Sequence, residues 1–192
     1  MEKRQMTKAD WKKCLRREML SVRGSLSEAY RIQASLAIWE KIYKLPVYQD
    51  ADTVYLYLSY QSEVDTLQQI DRILQDKKKL AVPKVTSERE MTFFYVHGMM
   101  DVSSGYRGIL EPVTTKEADG TEGLLLVPGT AFDCQLYRMG YGGGYYDTYM
   151  KKHEKLWRLG IAFDCQMMEE IPLEDHDEKL AGIMTENRTI LG

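Results

Sequence analysis

The sequence predicts an α/β domain built on a mostly parallel sheet covered by helices on both faces, and three observations lead there. Short runs rich in β-branched, aromatic and leucine residues alternate with stretches of helical periodicity. The run "LLLV" at 124–127 lacks polar alternation, as expected of a strand buried on both sides. With 192 residues, 44% of them hydrophobic, and no linker or low-complexity tract, the chain suits one domain over residues 1–192.

Two helices are expected before any strand. Thr7 and Asp10 resemble a capping box, after which Trp11, Leu15, Met19 and Val22 fall at helical spacing with Lys12, Lys13, Arg16, Arg17 and Arg23 interleaved. This predicts a basic amphipathic helix. Ser27 can cap a second helix with an apolar stripe of Ile32, Leu36, Trp39 and Tyr43, stopped by Pro46. "TVYLYLS" from Thr53 reads as a strand, and Leu67, Ile70, Ile73 and Leu74 as a helix. "KLAVPKV", "MTFFYVH", "GLLLV", "WRLGIAF" and "AGIMTE" follow as strands, with "ADGTEG" a polar loop before Leu124. The echo "AFDCQ", at Ala131 and Ala162, lacks matching flanks and does not make a repeat.

Composition narrows the setting. A net charge of −3 gives no electrostatic reason to expect nucleic-acid binding. No apolar run reaches membrane-span length, and "MEKRQMTKADWKK" lacks the apolar core of a signal peptide, so a cytoplasmic protein is expected. Cys14, Cys134 and Cys165 form no C-x-x-C pair and read as reduced thiols; His97, His153 and His176 match no zinc spacing and read as surface or structural residues.

The chemistry concentrates in "YRMGYGGGYYDTYMKK", 137–152. A strand, a loop, four glycines and a helix follow in order. Such backbone presents bare N–H groups and a helix N-terminus, which suit a phosphate, although a tight turn without a ligand fits the glycines as well. Neither the dinucleotide fingerprint nor a Walker loop is present. Arg138 can grip a phosphate in two-pronged fashion or lie in a solvated loop. Asp147, three residues into the helix, can serve a metal or simply the helix dipole. "PLEDHDEKL" supplies Glu174, Asp175, Asp177 and Glu178, which can lend an oxygen to magnesium or remain solvated surface. No nucleophile elbow or Ser-His-Asp order occurs. The equipment left, cations and N–H groups with carboxylates, is what phosphoryl transfer requires.

"VPGTAFD....RMGYGGGYYDTYM", with "YLSYQSEVDT" upstream, "IAFDCQ" downstream, "KKCLRREM", "GILEP" and "HDEKLAGIMTE", closely resembles the 5-formyltetrahydrofolate cyclo-ligase family in order and spacing over almost the whole chain. The resemblance implies a Rossmann-like three-layer fold and a magnesium-ATP-dependent enzyme that closes 5-formyltetrahydrofolate to 5,10-methenyltetrahydrofolate, releasing ADP and phosphate. It implies ATP contacts at Lys12, Lys13, Cys14, Leu15 and Arg16, and at Arg138, Met139, Gly140, Tyr141, Gly142, Gly143, Gly144, Tyr145 and Tyr146. Leu58 and Glu63 match the family's folate contacts, with Tyr141, Gly142, Gly143, Gly144 and Tyr145 shared between substrates. Asp147 and Asp177 match its magnesium ligands, and Arg138 and Tyr145 are the expected catalytic residues. A monomer with small-molecule substrates, and neither nucleic acid nor membrane as partner, is implied. One departure is Ala181, where the family often has another aspartate. Two other readings stand beside this one: a nucleotide-binding regulatory module without turnover, and a sugar-phosphate isomerase or CoA-transferase-like enzyme of similar fold type.

Overall fold

The computed structural model describes residues 7–105 and 108–192. The first six residues of the segment read for a signal peptide lie outside them. Helix α1, Lys8–Gly24, starts where expected, its Thr7 side chain accepting from the Asp10 backbone N–H. Its inward face differs from the expectation. Lys12, Leu15 and Arg23 are buried, whereas Trp11 and Val22 are exposed, because α1 seats Leu15 and Met19 on a small apolar cluster and turns Lys12 and Arg23 into a polar site beside it. Helix α2, Glu28–Ile42, is capped by Ser27 and is likewise rotated: Ala34, Ser35, Ile38, Trp39 and Ile42 face inward, and Ile32 and Leu36 remain exposed. The small Ala34 and Ser35 permit close approach to the sheet. Pro46 does not stop α2. It opens a short helix α3, Pro46–Asp50, at a position that needs no N–H donor.

The strands are β1 (Thr53–Tyr55), β2 (Lys79–Ser87), β3 (Glu90–Val96), β4 (Val102–Ser104), β5 (Leu110–Pro112), β6 (Leu124–Val127), β7 (Ala131–Asp133), β8 (Arg138–Met139), β9 (Trp157–Ile161), β10 (Met167–Met168), β11 (Gly182–Met184) and β12 (Thr189–Leu191). Helix α4 covers Ile70–Gln75 and α5 Tyr145–Lys152. The main sheet runs β12-β11-β9-β6-β1-β2-β3. Its five central strands are parallel, and the edge strands β3 and β12 are antiparallel.

Alternation along the strands feeds two cores. Val54, Leu80, Val82, Leu124 and Leu126 pack with α2 and α4 on one face, and Tyr55, Ala81, Leu125 and Val127 pack with Tyr149 and Met150 of α5 on the other. Both faces are therefore covered by helices, as expected of a parallel sheet. The "AFDCQ" segments differ in structure, since Ala131–Asp133 is strand β7 while Asp164–Gln166 is a 3-10 turn. β9 ends at Ile161, short of the predicted Phe163.

Successive connections leave β1 toward β2 on one side and β6 toward β9 on the other. The carboxyl ends of β1 and β6 therefore flank a switch point, the crevice where open α/β sheets bind ligands. Two segments emerge there: residues 56–66 after β1, and residues 128–144 after β6.

Candidate active site

The segment after β1 is held from below. The Trp39 indole donates to the Asp65 carbonyl at 2.7 Å, Ser35 Oγ accepts from the Asp65 N–H, and Thr66 Oγ1 bonds the Tyr57 carbonyl at 2.6 Å. This pins Glu63 at the rim of the crevice, half-buried, with Oε2 accepting from the Tyr60 N–H at 2.9 Å. Burial raises the Glu63 pKa, opposed by its hydrogen bonds from Tyr141 and Tyr60 and by the Arg23 charge. Leu58 is buried in the core on the α2 face.

The segment after β6 is held by Gln166, whose side-chain amide donates to the carbonyls of Gly129 and Thr130. The buried Asp133 carboxylate accepts from the N–H groups of Gln135, Tyr137 and Ile171 and so shapes the turn between β7 and β8. Arg138 and Met139 form β8 and are buried. Arg138 is thus not a solvated loop residue. Its guanidinium lies over the Tyr146 ring, 5.5 Å from the centroid, and pairs with Asp147 at 3.1 Å.

Gly140 to Gly144 then pass along α1. Gly142 has φ +102° and lies against the Arg16 guanidinium, and Gly144 takes φ +69° at the start of α5. These left-handed conformations account for glycine at both positions. The Tyr145 ring covers Gly143 so closely that an added Cβ would sit 2.5 Å from it. Tyr145 and Tyr146 form the first turn of α5 with Asp147.

Helix α1 supplies the facing wall. Arg16 Nε donates to the Gly140 carbonyl at 2.9 Å, and Lys12 Nζ bonds Glu174 at 2.7 Å and Asp177 at 2.8 Å. Lys12 and Arg16 share one face, as expected of an i, i+4 pair. Leu15 is buried with Met139, while Lys13 and Cys14 point to solvent. Segment 174–178 reaches α5 as well, the Glu178 N–H lying 3.4 Å from Asp147 Oδ1. Hence Asp147 and Asp177, thirty residues apart in sequence, approach one end of α1. Each already holds a cation: Arg138 for Asp147 and Lys12 for Asp177. Glu174, His176 and Asp177 offer ligand atoms within 4.8 Å of one another, and hydrogen bonding from Lys12 lowers the Glu174 pKa.

Sequence reading gave Arg23 no role beyond that of one of the basic residues interleaved along α1. Arg23 is buried, bonds Ser62 Oγ at 3.0 Å and donates to the Tyr141 hydroxyl at 2.8 Å. Tyr141 in turn donates a short hydrogen bond to Glu63 Oε1. The signal was present in the spacing: at eleven residues from Lys12, Arg23 returns to the face of Lys12 and Arg16 after three turns. The glycine loop and Glu63 are therefore in direct contact across the switch point.

Residues 8–186 match the model of the 5-formyltetrahydrofolate cyclo-ligase family. The chain is 29% identical over 196 residues to a probable 5-formyltetrahydrofolate cyclo-ligase of Schizosaccharomyces pombe, covering 92% of this chain and 95% of that one. It is 30% identical over 145 residues to the 5-formyltetrahydrofolate cyclo-ligase of Escherichia coli K12, covering 72% and 80% respectively. Its fold superposes on the NMR structure of Aquifex aeolicus 5,10-methenyltetrahydrofolate synthetase with a TM-score of 0.84 at 31% identity, over 94% of this chain and 92% of that one. With the glycine loop, its facing basic helix and the acidic segment in one crevice, and the family model spanning nearly every element described, the chain belongs to the 5-formyltetrahydrofolate cyclo-ligase family.

Proposed function

We propose that this protein is an ATP-dependent 5-formyltetrahydrofolate cyclo-ligase producing 5,10-methenyltetrahydrofolate, ADP and phosphate. The observation that carries the reading is the contact of Tyr141 with Glu63, which joins a phosphate-type loop to a carboxylate suited to the paired N–H donors of a pterin edge. A formamide oxygen is a poor leaving group. Moving the terminal phosphoryl group of ATP onto that oxygen lets folate nitrogen 10 close on the carbon, with phosphate leaving as the ring forms. Ring closure is intramolecular, so holding the folate correctly supplies much of the rate.

In this reading the backbone of Gly140 to Gly144 and the side chains of Lys12 and Arg16 grip the triphosphate, with residues 12–16 and 138–146 as the nucleotide half. Glu63 and Leu58 form the folate half, and Tyr141 to Tyr145 lie between the two. Arg138 neutralises charge on the phosphoryl group in flight, and Tyr145 borders it. The carboxylates of Asp147 and Asp177 are hard oxygen donors of the kind magnesium takes. Held there, the ion would neutralise phosphate charge. The cations these carboxylates now hold, Arg138 and Lys12, are the groups a triphosphate attracts, so nucleotide binding frees carboxylate oxygens at the same site.

We assign a monomeric, cytoplasmic protein; among the described residues no helix is long and apolar enough to cross a membrane. The decisive assay mixes the protein with magnesium, ATP and 5-formyltetrahydrofolate and follows the near-ultraviolet absorbance of methenyltetrahydrofolate. A rise that requires all three supports the assignment, whereas ATP binding without any folate-dependent turnover would favour a regulatory module.

A further inference from the structure

Arg23 is a buried cation that reaches its carboxylate only through a phenol. Arginine has donors and no acceptor, so the Tyr141 oxygen must accept from Arg23. The phenol's single proton then points to Glu63 Oε1. Glu63 Oε2 meanwhile accepts from the Tyr60 N–H. Both oxygens are used as acceptors, which the ionised carboxylate alone provides in full. A carboxylate has about four lone-pair sites. Two are taken, and one remains on each oxygen, spaced for a pair of adjacent N–H donors. Arg23 also anchors Ser62, the residue before Glu63, and thereby fixes the backbone from which the carboxylate projects.

We propose that Arg23 is a positioning residue which, acting through Tyr141, keeps Glu63 in its carboxylate form with one acceptor site on each oxygen turned to the pterin edge. This rests on the reading of Glu63 as the folate contact. The surroundings make such a device necessary. Glu63 is faced by Arg23 from α1, by Tyr141 from the glycine loop, by Tyr57 from its own segment and by Tyr146 from α5. Arg23 is the one cation among these four. Burial pushes the Glu63 carboxyl toward its neutral form, and Arg23 and the Tyr141 hydrogen bond oppose it. Without the relay, protonation would convert one oxygen into a donor facing the donors of the pterin.

The test is the Michaelis constant for 5-formyltetrahydrofolate, and separately that for ATP, as a function of pH in the parent, Arg23→Met, Arg23→Lys, Tyr141→Phe and Glu63→Gln. The folate-binding form is the carboxylate, so affinity is present above the Glu63 pKa and lost as pH falls through it. In Arg23→Met and Tyr141→Phe that loss should begin at higher pH, the folate constant rising by up to about tenfold per pH unit, and in Arg23→Met, which lies outside the nucleotide half, the ATP constant should follow the parent. Arg23→Lys, which keeps a donor-only cation, should restore part of the parent profile. A folate profile for Arg23→Met and Tyr141→Phe that runs parallel to the parent's overturns the proposal, and Tyr141→Phe supplies this outcome even where the Arg23 variants fold poorly. Glu63→Gln separates the two levels: a raised constant, flat with pH, upholds Glu63 as the pterin contact, whereas an unchanged constant overturns that reading and the proposal with it.

Discussion

Arg138 Nη2 donates to Asp147 Oδ1 across 3.1 Å, closing the glycine loop at its base, since the arginine precedes the loop and the aspartate follows it in the first turn of α5. The two side chains are 2% and 13% exposed, so the pair is mostly removed from water. A charged pair in that setting contributes little on balance when intact but costs much when broken, because one charge is left buried without its partner.

Asp147→Ala is accordingly expected to destabilise the fold by about 3 kcal/mol, a fall of roughly 6 to 12 °C in melting temperature for a chain of this size. Asp147→Asn keeps an acceptor for Arg138 and should lose less. Thermal melts of both variants check this; equal melting temperatures for Asp147→Ala and the parent would show that the pair is hydrated.

The same aspartate should also appear in the metal requirement. Asp147→Asn and Asp177→Asn are each expected to raise the magnesium concentration needed for half-maximal turnover, with neither parent nor variant binding magnesium tightly before nucleotide arrives. Magnesium titrations of activity measure it. An unshifted curve for Asp147→Asn, together with a lowered melting temperature, would leave Asp147 as Arg138's counter-ion alone.

Neighbouring glycines should fail in different ways. Gly144 has φ +69° with nothing within 4 Å of an added Cβ, so Gly144→Ala meets only backbone strain, about 1 to 2 kcal/mol. An added Cβ at Gly143 runs into the Tyr145 ring, a side chain that can rotate aside. Gly144→Ala should therefore lose stability, and Gly143→Ala should lose turnover with a smaller change in melting temperature. Similar losses in both quantities for the two variants would refute the distinction.

Lys12 links the site to acid stability. It holds Glu174 at 2.7 Å and lowers that group's pKa in the folded protein, so the stabilisation is present above the unfolded pKa of glutamate and lost as pH falls through the lowered value. Lys12→Met should melt below the parent near neutral pH, and the gap should narrow in the acid range. Melting curves across that range decide; a gap that widens as pH falls would reverse the sign.

Much of the fold was legible in local pattern. Thr7 and Ser27 mark both long helices, and the runs at Lys79, Met91 and Leu124 are strands because their residues fill two-sided or alternating cores. Periodicity misjudged the inward faces of α1 and α2 for opposite reasons. It counts apolar residues, whereas α1 buries Lys12 and Arg23 against carboxylates and hydroxyls, and α2 turns the small Ala34 and Ser35 inward and leaves Ile32 and Leu36 outside. The glycine loop was visible as a motif. Its partners were not, because no local pattern records that Lys12 meets Asp177 at a separation of 165 residues, or that Tyr141 meets Glu63 at 78.

Those separations bear on how the molecule comes into being. Apart from Arg23 with Ser62, 39 residues on, the polar contacts that hold the inner face of α1 are distant, among them Gly140 at 124 residues, Tyr141 at 118 and Glu174 at 162. During synthesis α1 precedes most of these partners, and Lys12 in particular lacks its carboxylates until Glu174 and Asp177 have followed. The sheet can assemble meanwhile, since β1, β2 and β3 are close neighbours in sequence. Docking of α1 then closes a loop of more than a hundred residues, an entropic cost offset by the ion pairs and hydrogen bonds of the crevice and by burial of Leu15 with Met139 and Ile171. Translation that stops short of Glu174 leaves a chain that holds β1, β2, β3, β6 and β9 yet has neither carboxylate of Lys12, so one end of its basic helix stays unanchored.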